Sequence, residues 1–62
     1  MQKSLQDWRD TIESEAGFVD IRPYSHNIVS LALRAISKEF GKNEANKAVD
    51  DFGLSELGWK KI

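Results

Sequence analysis

His26 is the only histidine of the chain, and Ser30 follows it at i+4. On a helix these two positions share a face, so the hydroxyl falls within reach of the imidazole, and a base beside a hydroxyl is the minimum for an activated nucleophile. The same spacing puts the pair on the convex, polar side of that helix, with nothing adjacent to exclude water or to stabilise an oxyanion. Catalysis is therefore not expected. Metal binding fares no better, because one His, no Cys and no cluster of Asp or Glu at ligand spacing provide no coordination set. No catalytic, cofactor-binding or metal-binding residue is assigned, and the chain reads as a non-enzyme without a small-molecule substrate.

Charged residues offer a second kind of chemistry. Arg34, Lys38 and Lys42 recur at i, i+4, i+8 and form a basic row on one helical strip. The short turn from Gly41 to Asn43 invites a helix-turn-helix reading, in which the following helix would use its exposed side chains on base edges. Those side chains are Glu44, Asn46, Lys47, Asp50 and Asp51, and three acids against one base repel phosphate. Duplex binding is dominated by phosphate neutralisation, and the whole chain carries Lys+Arg 9 against Asp+Glu 10, a formal charge of -1. Nucleic acid is thus not the expected partner, although a small helix-turn-helix-like nucleic-acid-binding regulator is the alternative function class.

Asp50 and Asp51 break a local rule. They stand in the last turn of that helix, where the dipole disfavours anions by roughly 0.3–1 kcal/mol each at an exposed site. Either Lys60 and Lys61 fold back to offset them, or the two acids face a partner. Trp8 and Trp59, near opposite ends of the chain, have the residue type of interface hot spots, but in a protein this small tryptophans more commonly belong to the core.

These residues must be positioned by one stretch above all, Tyr24 to Gly41, read YSHNIVSLALRAISKEFG. At roughly 100° per residue, Ile28, Val29, Leu31, Ala32, Leu33, Ala35, Ile36 and Phe40 cover a little more than half of a helix circumference. Val29, Leu33, Ile36 and Phe40 repeat at i, i+4, i+7, i+11, with Leu33 at the middle of the arc. Such a helix needs cover on two sides. His26, Asn27, Ser30, Arg34, Ser37 and Lys38 make the polar strip that remains.

The flanking elements follow from their own signals. Ser4 caps a first helix, with Asp7 as a weaker member of a capping box, and Leu5, Trp8, Ile12 and Ala16 form its narrow apolar stripe. Gly17 is the expected left-handed residue beyond its end. Phe18 to Pro23 reads as an extended connector whose Phe18, Val19 and Ile21 close one end of the core, since no second strand is available to pair with it. Ser25 suits the next N-cap, with Tyr24 and Val29 as a hydrophobic staple. Gly41 ends the central helix and Asn43 caps a third, whose apolar side is Ala45, Ala48, Val49 and Phe52. Gly53 stops it. Ser55 caps one further turn, and Leu54, Leu57 and Trp59 dock the tail that finishes Lys60-Lys61-Ile62.

The sequence therefore predicts an all-α fold, a small three-helix bundle over about 4–16, 25–40 and 43–52 with an additional C-terminal helical turn, in one domain spanning 1–62. Without cysteine there is no disulfide to staple so small a core. The absence of a long apolar segment near Met1, and of any stretch approaching a membrane span, gives cytoplasmic as the expected location. The expected function is a non-enzymatic protein-protein interaction module, an adaptor, regulator or inhibitor, acting through an exposed helix face. Its partner is another protein or a second copy of itself in a homodimer, with no membrane partner, and the candidate partner-binding residues are Asn27, Ser30, Arg34, Lys38, Asp50 and Asp51.

Overall fold

Ser4 begins the first helix as its spacing predicts. The Asp7 amide donates to Ser4 Oγ and the Ser4 amide donates to Asp7 Oδ2, both at 3.1 Å, closing a reciprocal capping box on α1, Leu5–Ala16. In the computed structural model, which describes residues 3–61, α1 is followed by α2, Pro23–Phe40, by α3, Lys42–Asp51, and by a 3-10 turn, Leu54–Leu57. The fold is the all-α three-helix bundle with an additional helical turn, with no strand among the described residues. Ile62 lies outside them. No helix among them is long and apolar enough to cross a membrane.

The connector after α1 departs from expectation. Gly17 is right-handed, at φ -70, so no left-handed cap forms there. Phe18 to Arg22 is a tight turn and not an extended connector: the amides of Ile21 and Arg22 both donate to the Phe18 carbonyl, at 2.9 and 2.7 Å. Arg22 folds its guanidinium over the Phe18 ring at 4.2 Å. Of the three residues expected to close the core, only Val19 packs against it, while Ile21 is 73% exposed. The turn satisfies its own backbone groups locally, which removes the need for an extended path.

α2 starts two residues before Ser25. Arg22 is its extended N-cap and Pro23 takes the first helical position, where its fixed φ is suited to the helix and its missing N–H costs nothing. Ser25 is therefore inside the helix and fully buried, and its Oγ donates to Glu15 Oε1 at 3.0 Å. It ties the start of α2 to the end of α1. The staple is lost with the cap, and Tyr24 is 54% exposed.

The buried stripe of α2 is Ser25, Val29, Ala32 and Ile36, at i, i+4, i+7, i+11. This is rotated from the arc centre given by the sequence: Leu33 is only partly buried at the edge of the core, Phe40 is exposed, and Leu31 is 57% exposed. Hydrophobicity alone placed the centre too far toward the larger side chains. A buried serine with a carboxylate partner and a buried alanine occupy the middle instead, because they let neighbouring backbones approach. Ile12 of α1, Ala45, Ala48 and Val49 of α3, and Leu54 of the 3-10 turn complete the buried core.

One residue separates α2 from α3. Gly41, at φ 99 and ψ 154, is both the C-cap of the first and the N-cap of the second, and accepts from the amides of Glu44 and Ala45. Only glycine occupies that region without strain, and the reversal it permits leaves no loop for Asn43 to cap. The later turn is likewise capped by left-handed Gly53, at φ 64, with Ser55 inside it.

Ile36→Ala should destabilise the protein by about 2–5 kcal/mol, the range for truncating a buried large aliphatic side chain. Leu33→Ala, at the rim, should cost clearly less. Denaturant unfolding of the two variants checks the order, and equal losses would return Leu33 to the centre of the core.

Candidate functional site

Exposed side chains of α2 meet the segment after the 3-10 turn along one open groove of about 390 Å³. Leu33, half-buried, forms its floor together with Ser30 and Ser37. Arg34 and Lys38, both exposed, stand along the α2 edge, and Trp59 and Lys60 line it from the tail. The helical repeat explains the arrangement, since residues 30, 34 and 37, 38 fall on successive turns of one side. Among the described residues no carboxylate lines this groove.

Trp59 is held in place from three directions. Gly58, left-handed at φ 114, turns the chain, and the Trp59 amide donates to the Leu54 carbonyl at 3.1 Å. Its indole Nε1 donates to Ser30 Oγ at 3.0 Å, while the ring stacks on His26 with centroids 4.4 Å apart and an interplanar angle of 24°. The serine and histidine that suggested a nucleophile and base are thus both engaged by the tryptophan. Trp8 is also partly buried against the core, with Lys3 Nζ 4.5 Å from its ring centroid. Its Nε1 is sheltered and has no hydrogen-bond partner among the described residues.

Three of the six candidate partner-binding residues, Ser30, Arg34 and Lys38, come together in the groove. Asn27 is exposed on α2 one turn before Leu31, outside the groove lining. Asp50 and Asp51 are elsewhere and have structural partners: Lys61 Nζ lies 3.0 Å from Asp50, and Arg9 Nη2 lies 2.6 Å from Asp51. The expectation that Lys60 and Lys61 together offset these acids holds for Lys61 alone. Arg9 supplies the second cation from α1, stacking on the Phe52 ring at 5.0 Å as it does so, and Lys60 goes to the groove.

The basic row also changes composition. Lys42 belongs to α3, beyond the reversal at Gly41, so the i+8 projection from Arg34 does not apply to it. Lys60, from a distant part of the chain, takes the third position. No spacing rule links residue 60 to residues 34 and 38; the sequence signalled only that the tail carrying Trp59 would dock.

A second groove, of about 380 Å³, lies on the other side of α2 against α1 and contains Asp10, Glu15 and Ile28. Its acids are internally engaged: Glu15 accepts from Ser25, and Asp10 Oδ1 accepts from Gln6 Nε2 at 2.8 Å. Among the described residues no group of three or more His, Cys, Asp or Glu side chains is placed to hold a metal ion. Comparison with protein-family models, curated proteins and solved structures gave no match.

Removing the Ser30 hydroxyl should free the indole N–H. Ser30→Ala is expected to lower stability by about 0.5–1.5 kcal/mol, the net value of an ordinary hydrogen bond, and to shift the Trp59 indole proton resonance while leaving that of Trp8 in place. An unmoved Trp59 resonance would mean that the bond does not form in solution.

Proposed function

We propose that the protein is a non-enzymatic interaction module that binds another protein through the exposed side of α2 and the adjoining groove. The supporting observation is the gathering of Arg34, Lys38 and Lys60 around one groove that no carboxylate of the described residues lines. Four of the six other cations are engaged within the fold: Arg9 and Lys61 neutralise the acids at the end of α3, and Lys3 and Arg22 cover aromatic rings. Like charges held near one another repel, and a ligand carrying carboxylates would neutralise them. Arginine adds directional recognition, since its guanidinium makes paired bonds to a carboxylate.

The ridge beside the groove supports protein over nucleic acid as the ligand. Leu31 and Tyr24 lie on it, both more than half exposed, and with Ile28 and Ala35 they follow an i, i+4, i+7, i+11 stripe beside the cations. An apolar stripe edged by positive charge suits a protein surface. A nucleic-acid strand needs phosphate contacts continued along its length, and the chain as a whole has no excess of cations, with Lys+Arg 9 against Asp+Glu 10.

Arg34→Glu combined with Lys38→Glu should abolish capture of the native partner in a pull-down. The melting curve should change by no more than about 1 kcal/mol, the upper part of which reflects Lys38 in the last turn of α2, where a cation favours the helix dipole. Capture at an undiminished yield would remove α2 as the binding face.

Duplex DNA should show no retardation at micromolar protein in about 0.15 M salt. A shift that weakens steeply with added salt would instead identify nucleic acid as the ligand of the same cations.

A further inference from the structure

We infer that the groove between α2 and the Trp59 segment selects a short extended acidic peptide in which one bulky apolar side chain stands between two carboxylates. The inference rests on the reading of α2 as a protein-binding face, and it specifies what that face recognises. From Ser30 to Lys38 the groove follows about 12 Å of helix, at 1.5 Å per residue. That length accommodates about four residues of extended peptide at roughly 3.3 Å each. Arg34 and Lys38, one turn apart, have Cβ atoms separated by roughly 6 Å; carboxylates at i and i+2 of an extended chain are separated by a closely similar distance, about 6.6 Å.

Alternation fixes the remaining position. In an extended peptide whose two acids face the α2 edge, the residue between them points the other way, toward Trp59. The indole edge and Leu33 there offer apolar surface, and the Ser30 hydrogen bond and His26 stack already hold the ring, so little side-chain entropy is lost on binding. Lys60 extends the positive charge to the tail side. A second copy of this chain is a poor occupant, because its one pair of acids at i, i+2, Glu13 and Glu15, encloses Ser14 and lies within α1.

The test is a titration of ¹⁵N-labelled protein with a capped Gly-Gly-Glu-Phe-Glu-Gly-Gly peptide, followed by amide and indole chemical shifts. The largest changes should fall on the Trp59 indole N–H and on the amides of Leu33, Arg34, Ser37 and Lys38, with the Trp8 indole unmoved. Peptides with Gln-Phe-Gln or Glu-Ser-Glu at the centre should each bind at least about tenfold more weakly, since the first removes charge and the second the apolar anchor. Arg34→Glu with Lys38→Glu should abolish the shifts, and Lys60→Glu should weaken them in a protein whose helices are untouched. Equal binding of the Phe and Ser peptides would reduce the site to general charge attraction and overturn the inference, as would shifts centred on other residues or shifts produced by raising protein concentration alone. If no peptide binds while capture of the native partner still depends on Arg34 and Lys38, the inference fails and the assignment of the α2 face stands; if that dependence is also absent, both fail.

Discussion

The packing of α2 along Ser25, Val29, Ala32 and Ile36 is the constraint on which the other elements depend. Small residues hold the middle of this contact, with Ala32 on α2 and Ala45 and Ala48 on α3 all buried. Close backbone approach lets a short α3, with only Ala45, Ala48 and Val49 buried, serve as a sufficient lid, and it explains why an alanine in place of a leucine can sit at a core centre. The serine in the same stripe is tolerated because Glu15 accepts its hydrogen bond; a buried hydroxyl without a partner would cost about 1–3 kcal/mol. One polar bond thereby sets the register of the first hairpin.

With two helices and one turn to cover it, α2 is covered on one side only. The Cα extents of the described residues, 28 × 25 × 15 Å, correspond in the thin direction to two helical layers. The outer half of α2 is left to solvent, and Leu31, Tyr24, Arg34 and Lys38 are exposed there as a consequence. A chain of this length cannot bury a fully apolar-faced helix on all sides. What would be a packing deficit in a larger domain is the surface on which the proposed interaction depends.

The ion pairs show how charge is divided between folding and surface. Arg9 and Asp51 are 42 positions apart and join α1 to the end of α3, where α1 has little other contact; the pair also answers the unfavourable placement of an anion in the last helical turn. Lys61 does the same for Asp50 from the tail. Exposed pairs of this kind contribute at most about 1 kcal/mol each, so their main consequence is positional. They commit one lysine of the tail to α3 and leave its neighbour, Lys60, beside Trp59 and the α2 cations.

Much of the architecture was legible because it depends on local chemistry. The capping box at Ser4 and Asp7, the breaks at Gly41 and Gly53, and the apolar periodicity of three helices all act between residues a few positions apart, where spacing alone determines who meets whom. The start of α2 was misplaced at Ser25 because a capping preference was weighed above the stronger geometric preference of Pro23 for the first helical turn, and the buried stripe was misplaced because side-chain size does not reveal which neighbour will approach. The candidate site was half legible: Ser30, Arg34 and Lys38 share a helical strip that the sequence displays. Trp59 and Lys60 join them only in the folded chain, as Lys61 and Arg9 are drawn away to Asp50 and Asp51. Those encounters are between residues far apart in sequence, and they are decided by the reversal at Gly41 and the packing of Leu54, which no periodicity encodes.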